Sequence, residues 1–231
     1  MGTAEPDYRE RPSRIPGAVV WQRGVQREGE SRILPDGCMD VIHQDGELFV
    51  AGPDTTAHLS WSPAGRRYTA IRFAPGAAPA VLGVPASELR DQRVPLRDLW
   101  PVHRVRRLTE ALDNAPDRAA VLESALLAVE HDPDPLAPHV LSRLRAGRTV
   151  ASIAAEVGLS ERQLHRRGLS LYGYGLKTLS RILRLTAALD LARAGTPFAA
   201  AAATAGYADQ AHLSREVKAL AGVPMGVLLR P

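Results

Sequence analysis

The spacing of apolar residues divides the chain into a strand-rich first part and a helical second part. Between Gly17 and about Phe73, short runs of β-branched and aromatic residues alternate with turn sequences such as Gln44-Asp45-Gly46-Glu47. We predict six strands there, over 18–22, 32–34, 39–43, 48–51, 58–61 and 68–73. Several short strands at this spacing predict a small β-barrel or sandwich.

Beyond Phe73 the apolar residues recur with helical spacing. We predict helices over 77–82, 87–89, 104–112 and 118–130, and then a break at His131-Asp132-Pro133-Asp134-Pro135, because two prolines in three residues interrupt any helix. Further helices are predicted over 136–145, 150–157, 161–171, 176–194, 197–205, 210–221 and 225–229. The fold class is therefore α+β: a β-rich domain over 1–103, a helical linker over 104–133 and an all-α domain over 134–231.

The all-α domain repeats one pattern about 49 residues apart. In each copy an alanine (Ala154, Ala202) precedes a glycine (Gly158, Gly206) by four positions, and a helix N-cap residue, Ser160 or Asp209, follows. A small residue allows two helices to approach closely, and the glycine supplies the turn between them. The pattern predicts two helix-turn-helix units, with Gln163 closing a capping box at Ser160.

Counting from each N-cap separates the inward and outward faces of the second helix of each unit. Leu164, Gly168 and Leu171 should pack inward in the first unit, as Leu213, Val217 and Leu220 should in the second. The outward residues that we assign to DNA are Arg162, His165, Arg166, Gln210, Ser214 and Arg215. Arginine and glutamine form paired hydrogen bonds with guanine and adenine, so these residue types favour reading of base edges in double-stranded DNA.

The long helix predicted over 176–194 connects the two units. At about 1.5 Å per residue it spans nearly 29 Å, close to the roughly 34 Å of one DNA turn. Lys177 and Arg181 are its candidate phosphate contacts, with Arg184 beside them.

Charge and composition agree with this division. Residues 148–231 carry 11 Lys+Arg against 5 Asp+Glu, a net charge of +6, whereas residues 1–147 carry 18 against 20, a net charge of −2. A basic helical part beside a near-neutral part is typical of a DNA-binding module joined to a module with another role. No run of about 20 apolar residues is present, and the opening Met1–Arg14 is too polar for a secretory signal, so we expect a cytoplasmic protein with no membrane association.

The block Gly206-Tyr207-Ala208-Asp209-Gln210-Ala211-His212-Leu213-Ser214-Arg215-Glu216 resembles the second helix-turn-helix of the AraC/XylS family of transcriptional regulators. The resemblance covers 136–231, and Leu34-Pro35-Asp36-Gly37-Cys38-Met39-Asp40 resembles the uncharacterised sensor-like domain of some actinobacterial members. It implies a regulator whose first domain binds a small-molecule effector or forms a homodimer and thereby alters DNA binding; contact with RNA polymerase is left open.

The sequence departs from that family at Gly168, where a bulky apolar residue is usual, and at Leu176, often a proline. A glycine inside a helix costs about 1 kcal/mol against alanine, so we predict a loose first recognition helix and a second unit that contributes most of the specificity.

Other chemistry has weaker support in the sequence. Trp21, Phe49, Trp61, Tyr68 and Phe73 all fall on predicted strands, and they either line a ligand pocket or form the domain core. Arg66, Arg67 and Arg72 are candidates for binding an anionic effector.

His43, His58 and Cys38 lack the spacing of a metal site, and Asp36, Asp40, Asp45 and Asp54 are interpreted as turn caps. We therefore predict no metal, no cofactor and no catalytic residue. The alternative is a member of the family that uses its first domain for sequestration or catalysis and binds DNA weakly.

Overall fold

The computed structural model describes residues 7–229, so the first six residues of the opening segment and the last two of the chain lie outside the description. Within these residues there are eight strands: β1 Asp7–Pro12, β2 Ala18–Gly24, β3 Gly29–Ile33, β4 Met39–Gln44, β5 Glu47–Ala51, β6 His58–Ser62, β7 Arg67–Phe73 and β8 Arg93–Pro95. The six predicted strands are confirmed as β2 to β7. Strands β1 and β8 have no counterpart among the predicted strands.

The strands form two antiparallel sheets. Six of them pair in the order β1-β2-β7-β4-β5-β8, and β3 pairs with β6 in a separate two-stranded sheet. The α+β class is confirmed, but the six-stranded sheet is open: β1 and β8 are its edges, and each has one neighbour among the described strands. A closed barrel would require these two edges to meet.

Alternation along the strands gives the six-stranded sheet two different faces. One face carries Val41, Val50, Ile71 and Phe73, all fully buried in the largest hydrophobic core. Two helices cover this face, α2 Val102–Asp113 and α3 Arg118–Leu127, which follow a short helix α1 Ala78–Leu82. The segment predicted as a linker over 104–133 therefore packs against the first domain and shares its core.

A buried carboxylate attaches the edge strand β1 to α3. Glu123 is 3% exposed in its side chain and accepts five hydrogen bonds: two from the Arg11 guanidinium, one from the Ser13 hydroxyl, and two from Arg14, through its backbone N–H and its Nε. Burial alone would raise the pKa of Glu123, but these hydrogen bonds lower it to about 2.

The helical part contains α4 Leu136–Arg145, α5 Val150–Glu156, α6 Glu161–Tyr172, α7 Leu176–Arg193, α8 Phe198–Thr204, α9 Gln210–Ala221 and α10 Met225–Leu228. The predicted helices agree with these to within two residues at each end. The first half of α7 packs with α4 to α6 in one core, and its second half packs with α8 to α10 in another. Helix α7 is thus shared by both units. Within residues 7–229, no helix is long and apolar enough to span a bilayer.

Candidate nucleic-acid interface and adjoining cavity

Both helix-turn-helix units have the turn and cap that the sequence predicts. Gly158 and Gly206 adopt φ of +68° and +79° in the two turns, a left-handed conformation that favours glycine. Ser160 and Gln163 form the capping box: the Gln163 N–H donates to Ser160 Oγ at 3.3 Å, and the Ser160 N–H donates to Gln163 Oε1 at 2.9 Å. The Asp209 carboxylate accepts from the His212 N–H at 2.6 Å. These bonds fix the first turns of α6 and α9.

The predicted inward faces are confirmed. All six residues are buried: Leu164, Gly168, Leu171, Leu213, Val217 and Leu220. The six residues assigned to DNA are all exposed: Arg162, His165, Arg166, Gln210, Ser214 and Arg215. Each recognition helix therefore presents polar side chains from its first two turns, where such helices contact base edges.

The two candidate phosphate contacts on α7 differ in their surroundings. Lys177 is exposed in the first turn of the helix. The Arg181 guanidinium is paired with Glu216 of α9, with Nε and Oε1 2.5 Å apart, and the neighbouring Arg184 lies over the ring of Tyr207 at 5.1 Å. Arg181 and Arg184 hold α7 to the second unit, and Lys177 is the freer of the two candidates for phosphate binding.

The structure changes the interpretation of Gly168. A Cβ at this position would lie 3.2 Å from Leu176 Cδ2 and 3.5 Å from Leu176 Cγ, so the leucine side chain occupies the space that the glycine leaves. Leu176 is 2% exposed and belongs to the core of the first unit. The two departures from the family pattern therefore compensate each other, so packing gives no ground for a loose first helix, although the conformational cost of a helical glycine remains.

This compensation predicts coupled effects on stability. Leu176→Ala should lower the free energy of unfolding by about 2–4 kcal/mol through the cavity that it leaves, and Gly168→Val should lower it by about 1–3 kcal/mol through crowding. The double variant should lose at least about 1 kcal/mol less than the sum, as measured by urea unfolding followed by circular dichroism. Val217→Ala, in the other core, is the matched control and should add to Leu176→Ala without coupling. Additive losses at 168 and 176 would contradict the assigned contact.

A cavity of about 790 Å³ lies between the six-stranded sheet and the β3–β6 pair. Its floor is the sheet face opposite the main core, where Trp21, Ile42, Ala51 and Ala70 are buried with Phe49 and Tyr68 packed against them. Its other wall includes Ile33 of β3 and Ser60 of β6. The volume is that of a site for a drug-sized molecule.

Three of the five aromatic residues suggested for a ligand pocket line this cavity, namely Trp21, Phe49 and Tyr68. Phe73 lies on the opposite sheet face in the main core, and Trp61 points outward with 59% of its surface exposed. Alternation along a strand explains both positions: Phe73 is an odd number of residues from Tyr68, and Trp61 from Ser60.

The most buried charged side chains of the cavity are paired with one another. Asp40 accepts a hydrogen bond from Trp21 Nε1 at 2.6 Å and another from Arg72 Nε at 3.2 Å. Arg93 donates two bonds to Asp54, at 2.9 and 2.7 Å. Burial raises the pKa of Asp40 to about 6 in spite of its partners.

The interpretation of four aspartates as turn caps holds for only part of the set. Asp36 caps a turn by accepting from the Cys38 N–H at 2.8 Å, and Asp45 lies in the β4–β5 turn, where it pairs with Arg66. For Asp40, the second residue of β4, and Asp54 the interpretation is wrong, because their carboxylates accept hydrogen bonds from the side chains of Trp21, Arg72 and Arg93 instead.

The three residues considered as possible metal ligands, His43, His58 and Cys38, do not lie on the same side of the sheet. The His43 ring faces the main core, with Nε2 3.2 Å from Asp113 Oδ1, whereas Cys38 and His58 line the cavity on the other side of the sheet. Burial raises the pKa of the Cys38 thiol well above its usual range. Within the described residues, no group of three or more histidine, cysteine or acidic side chains is arranged to hold a metal ion.

The wall of the cavity also contacts the helical part. Arg32 of β3 donates from Nη1 to the Ala221 carbonyl at 2.9 Å, and the Ala57 N–H donates to the Leu220 carbonyl at 2.7 Å, both at the end of α9. Leu34, which lines the cavity, packs against the core of the second unit. The cavity wall is therefore in direct contact with the end of the second recognition helix.

Two family models match separate parts of the chain. Residues 153–230 match a family model described as a helix-turn-helix domain, and residues 18–95 match one described as a domain of unknown function (DUF6597). The C-terminal part of the chain is an AraC-type helix-turn-helix domain, which confirms the resemblance to AraC/XylS regulators. No curated protein sequence matches the chain significantly.

Similar solved structures include ToxT from Vibrio cholerae. One crystal structure of ToxT is 11% identical, with a TM-score of 0.48 and coverage of 92% of this chain and 96% of ToxT. A second, of wild-type ToxT with a bound unsaturated fatty acid, is 11% identical, with a TM-score of 0.48 and coverage of 98% and 97%.

Proposed function

We propose that this protein is a sequence-specific transcriptional regulator that binds DNA with both helix-turn-helix units. The observation that carries the proposal is the pair of capped recognition helices, α6 and α9, which expose arginine, histidine, glutamine and serine side chains from their first turns. The net charge of +6 on residues 148–231 supports contact with phosphates.

The shared helix α7 supports simultaneous binding of the two units. Its 18 residues span about 27 Å at ~1.5 Å per residue, and α7 packs into the core of each unit. A rod of this length suits two recognition helices in successive major grooves, about 34 Å apart on one side of the duplex.

We further propose that a small molecule in the cavity between the two sheets controls DNA binding. Residues 1–103 would act as the sensor or dimerisation domain, with the helices of 104–133 packed on its sheet. The support is the cavity wall itself: Leu34 lines the cavity and packs against the second unit, and Arg32, one residue before Ile33 of the wall, bonds to the end of α9.

Capture of genomic DNA fragments by the full-length protein tests the function. We expect enrichment of a shared sequence with two half-sites about 10 base pairs apart, and affinity that falls steeply as salt is raised. If no sequence is enriched at low salt, the regulator proposal fails, and turnover or tight binding of a small molecule without DNA affinity would favour the sequestration or catalysis alternative.

A further inference from the structure

The chemistry of the cavity limits the kind of molecule that fits it, an inference that rests on the proposed small-molecule control. The aromatic residues of the floor come from three strands of the six-stranded sheet: Trp21 from β2, Tyr68 from the adjacent β7, and Phe49 from β5, which β4 separates from β7. The rings of Trp21 and Tyr68 lie 6.4 Å apart. Such a floor favours a planar apolar body, which contacts aromatic rings over a large area.

In this cavity, the most buried charges are already paired. Four arginines and four acidic side chains line it. The acidic groups deepest in the wall, Asp40 and Asp54, have side chains that are 14% and 10% exposed, and each is bonded to an arginine, Arg72 or Arg93. Of the other two arginines, Arg23 donates to the Ser31 hydroxyl at 2.9 Å and Arg97 is exposed. A charged ligand beside Asp40 or Asp54 would either break the pair that this carboxylate forms or lack a counter-charge, and both leave a poorly solvated charge.

The pKa of Asp40 supports this argument. Burial raises it to about 6 although Trp21 and Arg72 both donate hydrogen bonds to the carboxylate. The environment therefore disfavours even an anion that has two donors, and a second anion would be less favourable still.

Uncharged hydrogen-bonding groups remain on the cavity wall. The Ser62 and Tyr68 hydroxyls are 2.7 Å apart, so one of them donates to the other. The side chains of Gln44, Ser60 and Thr109 also line the cavity, and in the part of the chain that the structure describes none of them forms a hydrogen bond. These groups match hydroxyl, carbonyl or amide groups of a ligand.

We propose that the cavity binds an uncharged aromatic molecule that bears hydroxyl, carbonyl or amide groups, in preference to an acid or an amine of the same size. The aromatic floor binds the ring system, and the amide and hydroxyl side chains hold its polar groups. The internal ion pairs keep the walls in place and select against ligand charge.

Competition among matched probes tests the proposal on the full-length protein. N-phenylnaphthylamine, which is uncharged and fluoresces in apolar sites, serves as the reporter. Naphthylmethanol, naphthoate and naphthylmethylammonium share one ring system and differ in charge. We expect the alcohol to displace the reporter at a concentration roughly tenfold or more below that of the acid or the amine, since about 1.4 kcal/mol corresponds to tenfold. Equal or better displacement by either ion overturns the proposal.

Two neighbouring residues of β6 supply variants that locate the binding. Ser60→Phe fills the cavity and should weaken reporter binding about tenfold, whereas Leu59→Phe, on the outward face where Leu59 is 46% exposed, should leave it unchanged. Equal binding by both variants places the reporter elsewhere and overturns the proposal. The probe series on the natural sequence gives its answer even if Ser60→Phe does not fold.

The ligand inference and the DNA-binding proposal fail in different ways. Absence of binding by the reporter and all three competitors, with DNA capture intact, overturns only the ligand class. Selective binding of the uncharged probe without any enriched DNA retains the ligand class and overturns the regulator proposal.

Discussion

Replacement of Arg166 or Arg215 by alanine should weaken binding to the captured DNA by about 10- to 100-fold in each case, because a paired contact between arginine and a base contributes about 1–3 kcal/mol. Both side chains are exposed at the same position of their helices, six residues after the N-cap. Fluorescence anisotropy with a labelled duplex at fixed salt measures the losses.

The two losses should be similar, which differs from the expectation that the sequence alone supports. Gly168 suggests a loosened first helix, but Leu176 fills its space and the Ser160–Gln163 capping box fixes its start. If Arg166→Ala weakens DNA binding by less than about one third of the factor found for Arg215→Ala, the second unit contributes most of the specificity, as the sequence alone suggests. Lys218→Ala is the matched control on α9: it removes one exposed positive charge from the last turn of the helix, far from the base edges, and should have a much smaller effect.

The helical part could be predicted almost completely because its signals are local. Ser160, Asp209 and the turn glycines determine helix ends within a few residues, and apolar spacing determines the inward faces. The contact between Gly168 and Leu176 also involves residues only eight positions apart. Neither residue indicates the contact alone, because the two departures from the family pattern explain each other only as a pair.

The first domain was less predictable because its contacts are distant in sequence. β1 has the sequence DYRERP, with no apolar alternation, and it is an edge strand that depends on pairing with β2 and on Glu123. The cavity depends on the pairing of β7 with both β2 and β4, which brings Trp21, Asp40 and Arg72 together. A buried aspartate in a strand has no local signature, so the sequence around Asp40 does not distinguish it from a turn residue.

The second large effect concerns Glu123, the carboxylate that joins α3 to β1 and the following loop. Glu123→Gln should lower the free energy of unfolding at neutral pH by about 3 kcal/mol, because a neutral amide leaves Arg11 and Arg14 without their buried counter-charge. The half-exposed positions of both arginines keep the effect below the upper end of such losses. All three tryptophans lie within residues 1–103, so tryptophan fluorescence during urea unfolding reports on this domain.

The same carboxylate predicts a specific pH dependence. The pKa of Glu123 is lowered in the folded protein from 4.5 to about 2, so its stabilising contribution is complete above pH 4.5 and is lost as the pH falls towards 2. The natural protein should therefore lose about 2–3 kcal/mol more than Glu123→Gln over this range. Glu110→Gln, at an exposed position of α2, is the matched control and should keep the full pH dependence. If the free energy of unfolding of Glu123→Gln falls with pH as steeply as that of the natural protein, another acidic group causes the acid sensitivity. In that case Glu123 does not hold β1 in place through its charge.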